Sequence, residues 1–245
     1  MASTELSLAQ SMQDISASVQ SEYKDIMDGI QAKLSAPSGN TIRLTQNKKF
    51  VLPDGVESNG PLDVVIVGFT SRNVYYSGQF NPNNITPPDC FAEGDNPSLM
   101  APSDKAEMKQ AEDCNECPMN QFGSNGNGKA CQNQRIIAVL PVGKPDAEIM
   151  TIRVSPSAIK GFDNYVSGLN TKYKVPPFAV VTQVTFDPST TYAKLMFGNP
   201  IPNPEFKAFA DRAVETPQHL AANFVPAAAA TLGPAGGAVR GKGRR

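Results

Sequence analysis

Tryptophan is absent from this 245-residue chain, and histidine occurs once, at His219. A lone histidine beside an Ala/Gly/Pro-rich stretch cannot serve most His-dependent hydrolase layouts, and no G-x-S-x-G turn accompanies it. Charge is scarce as well. Twenty-two Lys and Arg face 23 Asp and Glu, 18% of the residues, for a net charge of −1. The whole molecule is therefore not a general polyanion binder, and any nucleic-acid surface must be a local stripe. No apolar run approaches the length of roughly 18 residues that a transmembrane helix needs, so no membrane partner is expected. The opening residues Met-Ala-Ser-Thr-Glu-Leu-Ser show neither the basic start nor the apolar core of a secretory leader. A cytoplasmic chain with reduced thiols is the expectation. Paired carboxylates, a nucleophile–base pair and an open metal site are all missing, so an enzyme is not expected.

Cysteine is also sparse, but its four copies cluster. They are Cys90, Cys114, Cys117 and Cys131. The Cys114-x2-Cys117 pair suits a knuckle-like turn that aims two thiolates at one ion. Cys131 lies beyond a glycine-rich loop and Cys90 upstream, which completes a tetrahedral set for zinc. With all four positions filled by protein, such a site is closed and structural. Disulfides, a cysteine-ligated iron–sulfur cluster and four buried free thiols are the alternatives. Cys90 is the weakest member, since it lies far from Cys114 along the chain. The same loop holds Gly123-Ser-Asn-Gly-Asn-Gly128-Lys129, the front of a phosphate-binding P-loop. Ala130 stands where a magnesium-binding hydroxyl belongs, no apolar strand precedes it and no helix follows, so nucleotide hydrolysis is disfavoured. The glycines read better as tight turns around the metal site.

Along the chain, apolar residues from Leu8 to Leu34 recur at steps of three and four, which predicts an amphipathic helix over residues 1–36. It lies on its own domain or meets a partner, either a second copy or a replication protein. The 21 prolines and 19 glycines imply many turns. Strands are expected over residues 41–45, 48–52, 62–70, 73–80, 135–142, 147–154, 178–186 and 192–197, with 62–70 and 73–80 paired across Ser71 and Arg72. A helix capped by Ser155 is expected to run to about Leu169, and a short one over 204–214. This is a mainly β fold with added helices, of the OB-like Greek-key barrel kind, over residues 40–215. Residues 81–134 form an inserted, zinc-ribbon-like cysteine module. Residues 216–245 read as a disordered Ala/Gly/Pro-rich basic tail ending in Arg240, Lys242, Arg244 and Arg245.

A single-strand binder needs cations for phosphates and aromatic faces for bases. Lys48 and Lys49 flank Phe50, and Arg72 sits near Tyr75 and Tyr76. Lys129 and Arg135 come from the cysteine module and its exit strand. Lys172, Tyr173 and Lys174 form a tight basic-aromatic cluster. Strand alternation sends Tyr75 and Tyr76 to opposite faces, so only one of them can stack on a base.

The run Cys114-x2-Cys117-Pro-x-Asn120-x-Phe122-Gly-Ser124…Gly128-Lys129-x-Cys131-x3-Arg135 resembles a motif of bacteriophage single-stranded-DNA-binding-like proteins associated with replication. Residues 154–165 and 180–186 are similar to the same group, and the likeness covers about residues 40–200. It implies an OB-type barrel carrying a zinc module and a role in viral DNA replication or recombination, in the host-cell cytoplasm. Phage single-strand binders commonly end in an acidic tail; here Arg and Lys end the chain, which implies a tail that touches nucleic acid or another partner directly. The alternative is a structural or regulatory zinc-containing interaction module that binds no nucleic acid.

Overall fold

The computed structural model describes residues 40–78 and 86–222. The expected N-terminal helix and the basic end of the tail lie outside the described residues. The core of the fold is one sheet of nine strands: β1 (Thr41–Leu44), β2 (Phe50–Val51), β3 (Glu57–Ser58), β4 (Leu62–Tyr75), β5 (Cys90–Gly94), β6 (Gln132–Pro141), β7 (Met150–Val154), β8 (Val180–Phe186) and β9 (Leu195–Pro202). Their order is β3-β2-β1-β7-β6-β4-β8-β9, with β5 also paired to β4. Only β1–β7 is parallel; the other pairings are antiparallel. Two helices complete the described part, α1 (Pro156–Gly168) and α2 (Phe206–Ala222).

The long central strand corrects the expected hairpin. Ser71 and Arg72 continue β4 instead of turning, because β6 pairs with them on one edge and β5 on the other. The β-branched run buries both faces of the sheet. Val64 and Ile66 enter one apolar cluster with Ile137, Val139, Ile152, Val154 and Phe162. Val65 and Val67 enter a second with Ile136, Ala138, Leu140, Phe209 and Leu220. Consecutive residues of β4 and β6 thus serve opposite faces, as a pleated strand requires. The register slips between Ile66 and Gly68. There α2 comes closest: a Cβ on Gly68 would lie 2.5 Å from the Cγ2 of Thr216.

The sheet curls into a half-barrel. Five strand steps separate β2 from β8, about 24 Å in a flat sheet. Yet Phe50 of β2 stacks on Phe186 of β8 with ring centroids 4.4 Å apart. Lys48, in the turn before β2 at φ 57, donates from Nζ to the carbonyls of Asp187 (2.8 Å) and Thr190 (2.5 Å) in the β8–β9 turn. Helix α1 fills the inner side. Its Phe162 is fully buried and meets Phe69 and Phe197 edge-on. Burying such a ring stabilises by about 1.5–3 kcal/mol. Tyr165 keeps its hydroxyl satisfied by Thr182 Oγ1 at 2.8 Å. Residues 204–214 were expected to hold a short helix, with the tail beginning at 216. Helix α2 runs past that point, through Pro217 to Ala222, because Thr216 and Leu220 are buried against the sheet.

Candidate metal centre and surrounding surface

The connection between β4 and β6 carries all four cysteines. Cys90 opens β5 opposite Tyr75 of β4. Cys114 hangs from Met100, whose carbonyl accepts from its N–H at 3.0 Å. Cys117 leads into a short 3-10 turn, Pro118–Asn120, and Asn120 N–H returns to the Cys117 carbonyl at 2.9 Å. Cys131 immediately precedes β6 and donates its N–H to the Met119 carbonyl at 2.8 Å. Residues far apart in sequence are thereby brought to one place: all four cysteines, each buried, line one small cavity together with Asn73, Tyr75, Phe91, Met119 and Asn120. Its free volume is about 10 Å³, room for one water-sized body.

The electrostatics agree with this crowding. Burial pushes the Cys131 thiol up to about 12, the Cys114, Cys117 and Cys90 sulfurs add to the rise, and Lys129 opposes it. Burial also raises Cys114, against a hydrogen bond from Asn73 that favours its thiolate. Among the described residues, no three or more His, Cys, Asp or Glu side chains are gathered as a metal ion would require. The four cysteines share one buried cavity without forming such a group.

Asn120 of the cysteine motif, with Asn73 and Asn133 that the sequence did not mark, holds this place together. Asn120 is buried and donates to the Cys114 carbonyl at 2.6 Å. Its Oδ1 accepts from Asn133 of β6 at 2.9 Å and from Lys129 at 3.2 Å. Asn133 also donates to Asn73 of β4 at 2.6 Å. The chain thus ties the cysteine loop to two strands. Asn73 and Asn133 are a register pair in β4 and β6. Asn133 lies before the strand expected from residue 135, so its pairing with Asn73 is visible only in the structure, where β6 begins at Gln132.

The proposed nucleic-acid contacts divide into groups. Lys48 closes the half-barrel, as described. Lys49 pairs with Glu57 at 2.7 Å. Arg72 pairs with Glu93 at 2.7 Å across β4–β5. Arg135 holds both oxygens of Asp163 (3.2 and 3.0 Å) and Ser71 Oγ (2.9 Å), which fastens α1 to the sheet. Tyr75 lines the cysteine cavity, while burial raises the Tyr76 hydroxyl pKa on the opposite face, where Arg153 opposes and Asp89 adds to the rise. Arg153, missed in the sequence, lies within electrostatic reach of both Tyr76 and Arg72.

Lys129, Lys172, Tyr173 and Lys174 are exposed. The last three leave α1 on a π-helical turn, Leu169–Tyr173, closed by Lys174 at φ 58. Lys172 Nζ lies 5.0 Å from the Tyr173 ring centre. No family model, curated protein or solved structure matches the chain.

Proposed function

We propose that this chain is a single-stranded-DNA-binding protein of viral replication or recombination, built on an OB-type barrel with a zinc-stapled loop. The observation that carries the reading is Tyr173. This ring is 51% exposed and stands between two exposed lysines on a turn held by the end of α1. An accessible aromatic face with flanking cations is what an unpaired base and its phosphates require, and a duplex hides the bases that would use it.

Connectivity supports the barrel. Taken in order, β4, β6, β7, α1, β8 and β9 give five strands with one helix between the third and fourth. The first of them pairs with both the second and the fourth, as in a small Greek-key barrel. Strands β1 to β3 occupy the edge where the third and fifth would otherwise meet. The cysteine loop then joins the first and second strands, and residues 187–194 join the fourth and fifth, the two loops that carry nucleic acid in such barrels. A zinc ion would be held by Cys90, Cys114, Cys117 and Cys131. It would neutralise their thiolates and tie the loop to β5 and β6, so it shapes the surface without taking part in chemistry.

Anisotropy of a fluorescent single strand and of a duplex, at two salt concentrations, tests the reading. The single strand should bind more tightly. Each phosphate contact contributes a slope of about −0.7 in log K against log salt. Lys172→Ala with Lys174→Ala should flatten that slope, whereas Tyr173→Ala should weaken binding at every salt concentration by about 1–3 kcal/mol. Equal affinity for duplex and single strand removes the stacking argument, and no affinity at low salt refutes the function.

A further inference from the structure

The glycine-rich hairpin that the sequence offers as a false P-loop carries an exposed aromatic ring. Phe122 sits on it with 79% of its surface exposed, although it is a large aromatic residue. The hairpin beneath it is firmly built. Gly123 N–H donates to the Gly128 carbonyl at 2.9 Å, and Cys131 N–H to the Met119 carbonyl at 2.8 Å, so Phe122 and Lys129 lie on the two arms between these bonds, with Lys129 Nζ reaching Asn120 Oδ1 at 3.2 Å. Gly123 at φ 96 and Gly126 at φ 59 make the bends that other residues resist. Ser124 Oγ clamps the interior. Its single proton is shared between the Met119 and Gln121 carbonyls, 2.9 and 2.7 Å away, and its oxygen accepts from Ala130 N–H at 2.9 Å. An aromatic ring held out on so fixed a support loses little freedom when it is covered.

Charge separates two possible occupants. Residues 118–145 include Lys129, Arg135 and Lys144 and no Asp or Glu. Residues 86–116 of the same insertion carry eight acids (Asp89, Glu93, Asp95, Asp104, Glu107, Glu112, Asp113, Glu116) against Lys105 and Lys109. Leu99 of the same insertion is equally exposed at 79% but stands in the acidic half. Phe122 is flanked along the chain by Gln121, Gly123 and Ser124 and belongs to none of the apolar clusters of the described residues, unlike a protein anchor. An exposed ring in a segment that carries cations and no acid, residues 118–145, suits a nucleobase and its phosphate.

We propose that Phe122 is a base-stacking residue, with Lys129, whose ammonium also donates to Asn120, contacting the adjoining phosphate, so that the cysteine hairpin presents a second DNA contact in addition to the Tyr173 turn. The inference rests on the single-strand-binding reading above. In the zinc-loaded full chain, Phe122→Ala should lower single-strand affinity on the order of 5- to 100-fold, the range for one lost stack. Zinc content and thermal midpoint should stay unchanged, since the ring is exposed. Leu99→Ala should bind as wild type does. Because the chain has no tryptophan, Phe122→Trp introduces a single indole at the tip, which can be excited apart from the six tyrosines. Its emission should be quenched by an oligonucleotide, while that of Leu99→Trp should not. Wild-type binding together with undiminished affinity in Phe122→Ala and an unquenched Phe122→Trp overturns this inference and leaves the proposed function standing. No wild-type binding at low salt overturns both. A Phe122→Ala protein that keeps its DNA affinity and loses a protein partner makes the tip a protein-docking element, which also overturns it.

Discussion

Lys48 separates two accounts of the same cation. As read from sequence it is a phosphate contact; in the structure its ammonium joins the β1–β2 turn to the β8–β9 turn through the carbonyls of Asp187 and Thr190. Lys48→Met keeps the aliphatic stem and removes both bonds. A hydrogen bond to a charged group contributes about 1.5–3 kcal/mol. Lys48 is only half-buried, so water replaces part of that, and the two bonds together should contribute about 2 kcal/mol. For a domain of this size each kcal/mol moves the thermal midpoint by about 2–4 °C, so a drop of about 4–8 °C is expected. Lys48→Gly loses the same bonds but relieves a side chain held at φ 57, so it should be less destabilised than Lys48→Met by about 1 kcal/mol. Circular-dichroism melts and DNA anisotropy on the same preparations give both answers. Lys48→Met should melt early and keep the wild-type salt slope when folded. A wild-type melt combined with a flattened slope would refute the closure argument and restore the phosphate contact.

Gly68→Ala should cost about 1–3 kcal/mol, because its Cβ meets the Thr216 methyl at 2.5 Å. Adding Thr216→Ser, which removes that methyl, should recover most of the loss in a denaturant-melt cycle; simple additivity would mean that α2 does not press on β4 there. Elemental analysis should find one zinc per chain, and Cys90→Ser or Cys131→Ser should lower both zinc content and thermal midpoint. Unchanged zinc in Cys90→Ser would move the fourth ligand elsewhere. Hydrogen bonds from Ser189 and Lys194 hold the Asp187 carboxyl well below its ordinary value near 3.8. The carboxylate's stabilising effect is therefore present above the ordinary carboxylate range and lost as pH falls through the lowered value. Asp187→Asn should be less stable than wild type at neutral pH and converge with it in acid. A constant difference down to the lowest pH at which both fold would exclude this residue as the source.

The elements that follow from local pattern were legible before any coordinates. The β-branched run of β4, the strands β6 to β8 and the helix opening at Ser155–Pro156 announce themselves, because side-chain period and proline placement act over a few neighbouring residues. The clustering of the cysteines was likewise visible, since C-x2-C spacing is a local constraint. Other features depend on chain segments that meet only after folding. Ser71-Arg72 looks like a turn until β5 and β6 pair with it from both edges, and β5 itself lies hidden in a polar insertion. The partners of Lys48 and Arg135 lie 139 and 28 residues away, so no window of sequence could show that these cations are occupied inside the fold. The same holds for the asparagine chain under the cysteines and for the exposure of Phe122. A charge or a ring declares its chemistry in sequence, but whether it faces water or a partner is decided by what tertiary packing sets beside it.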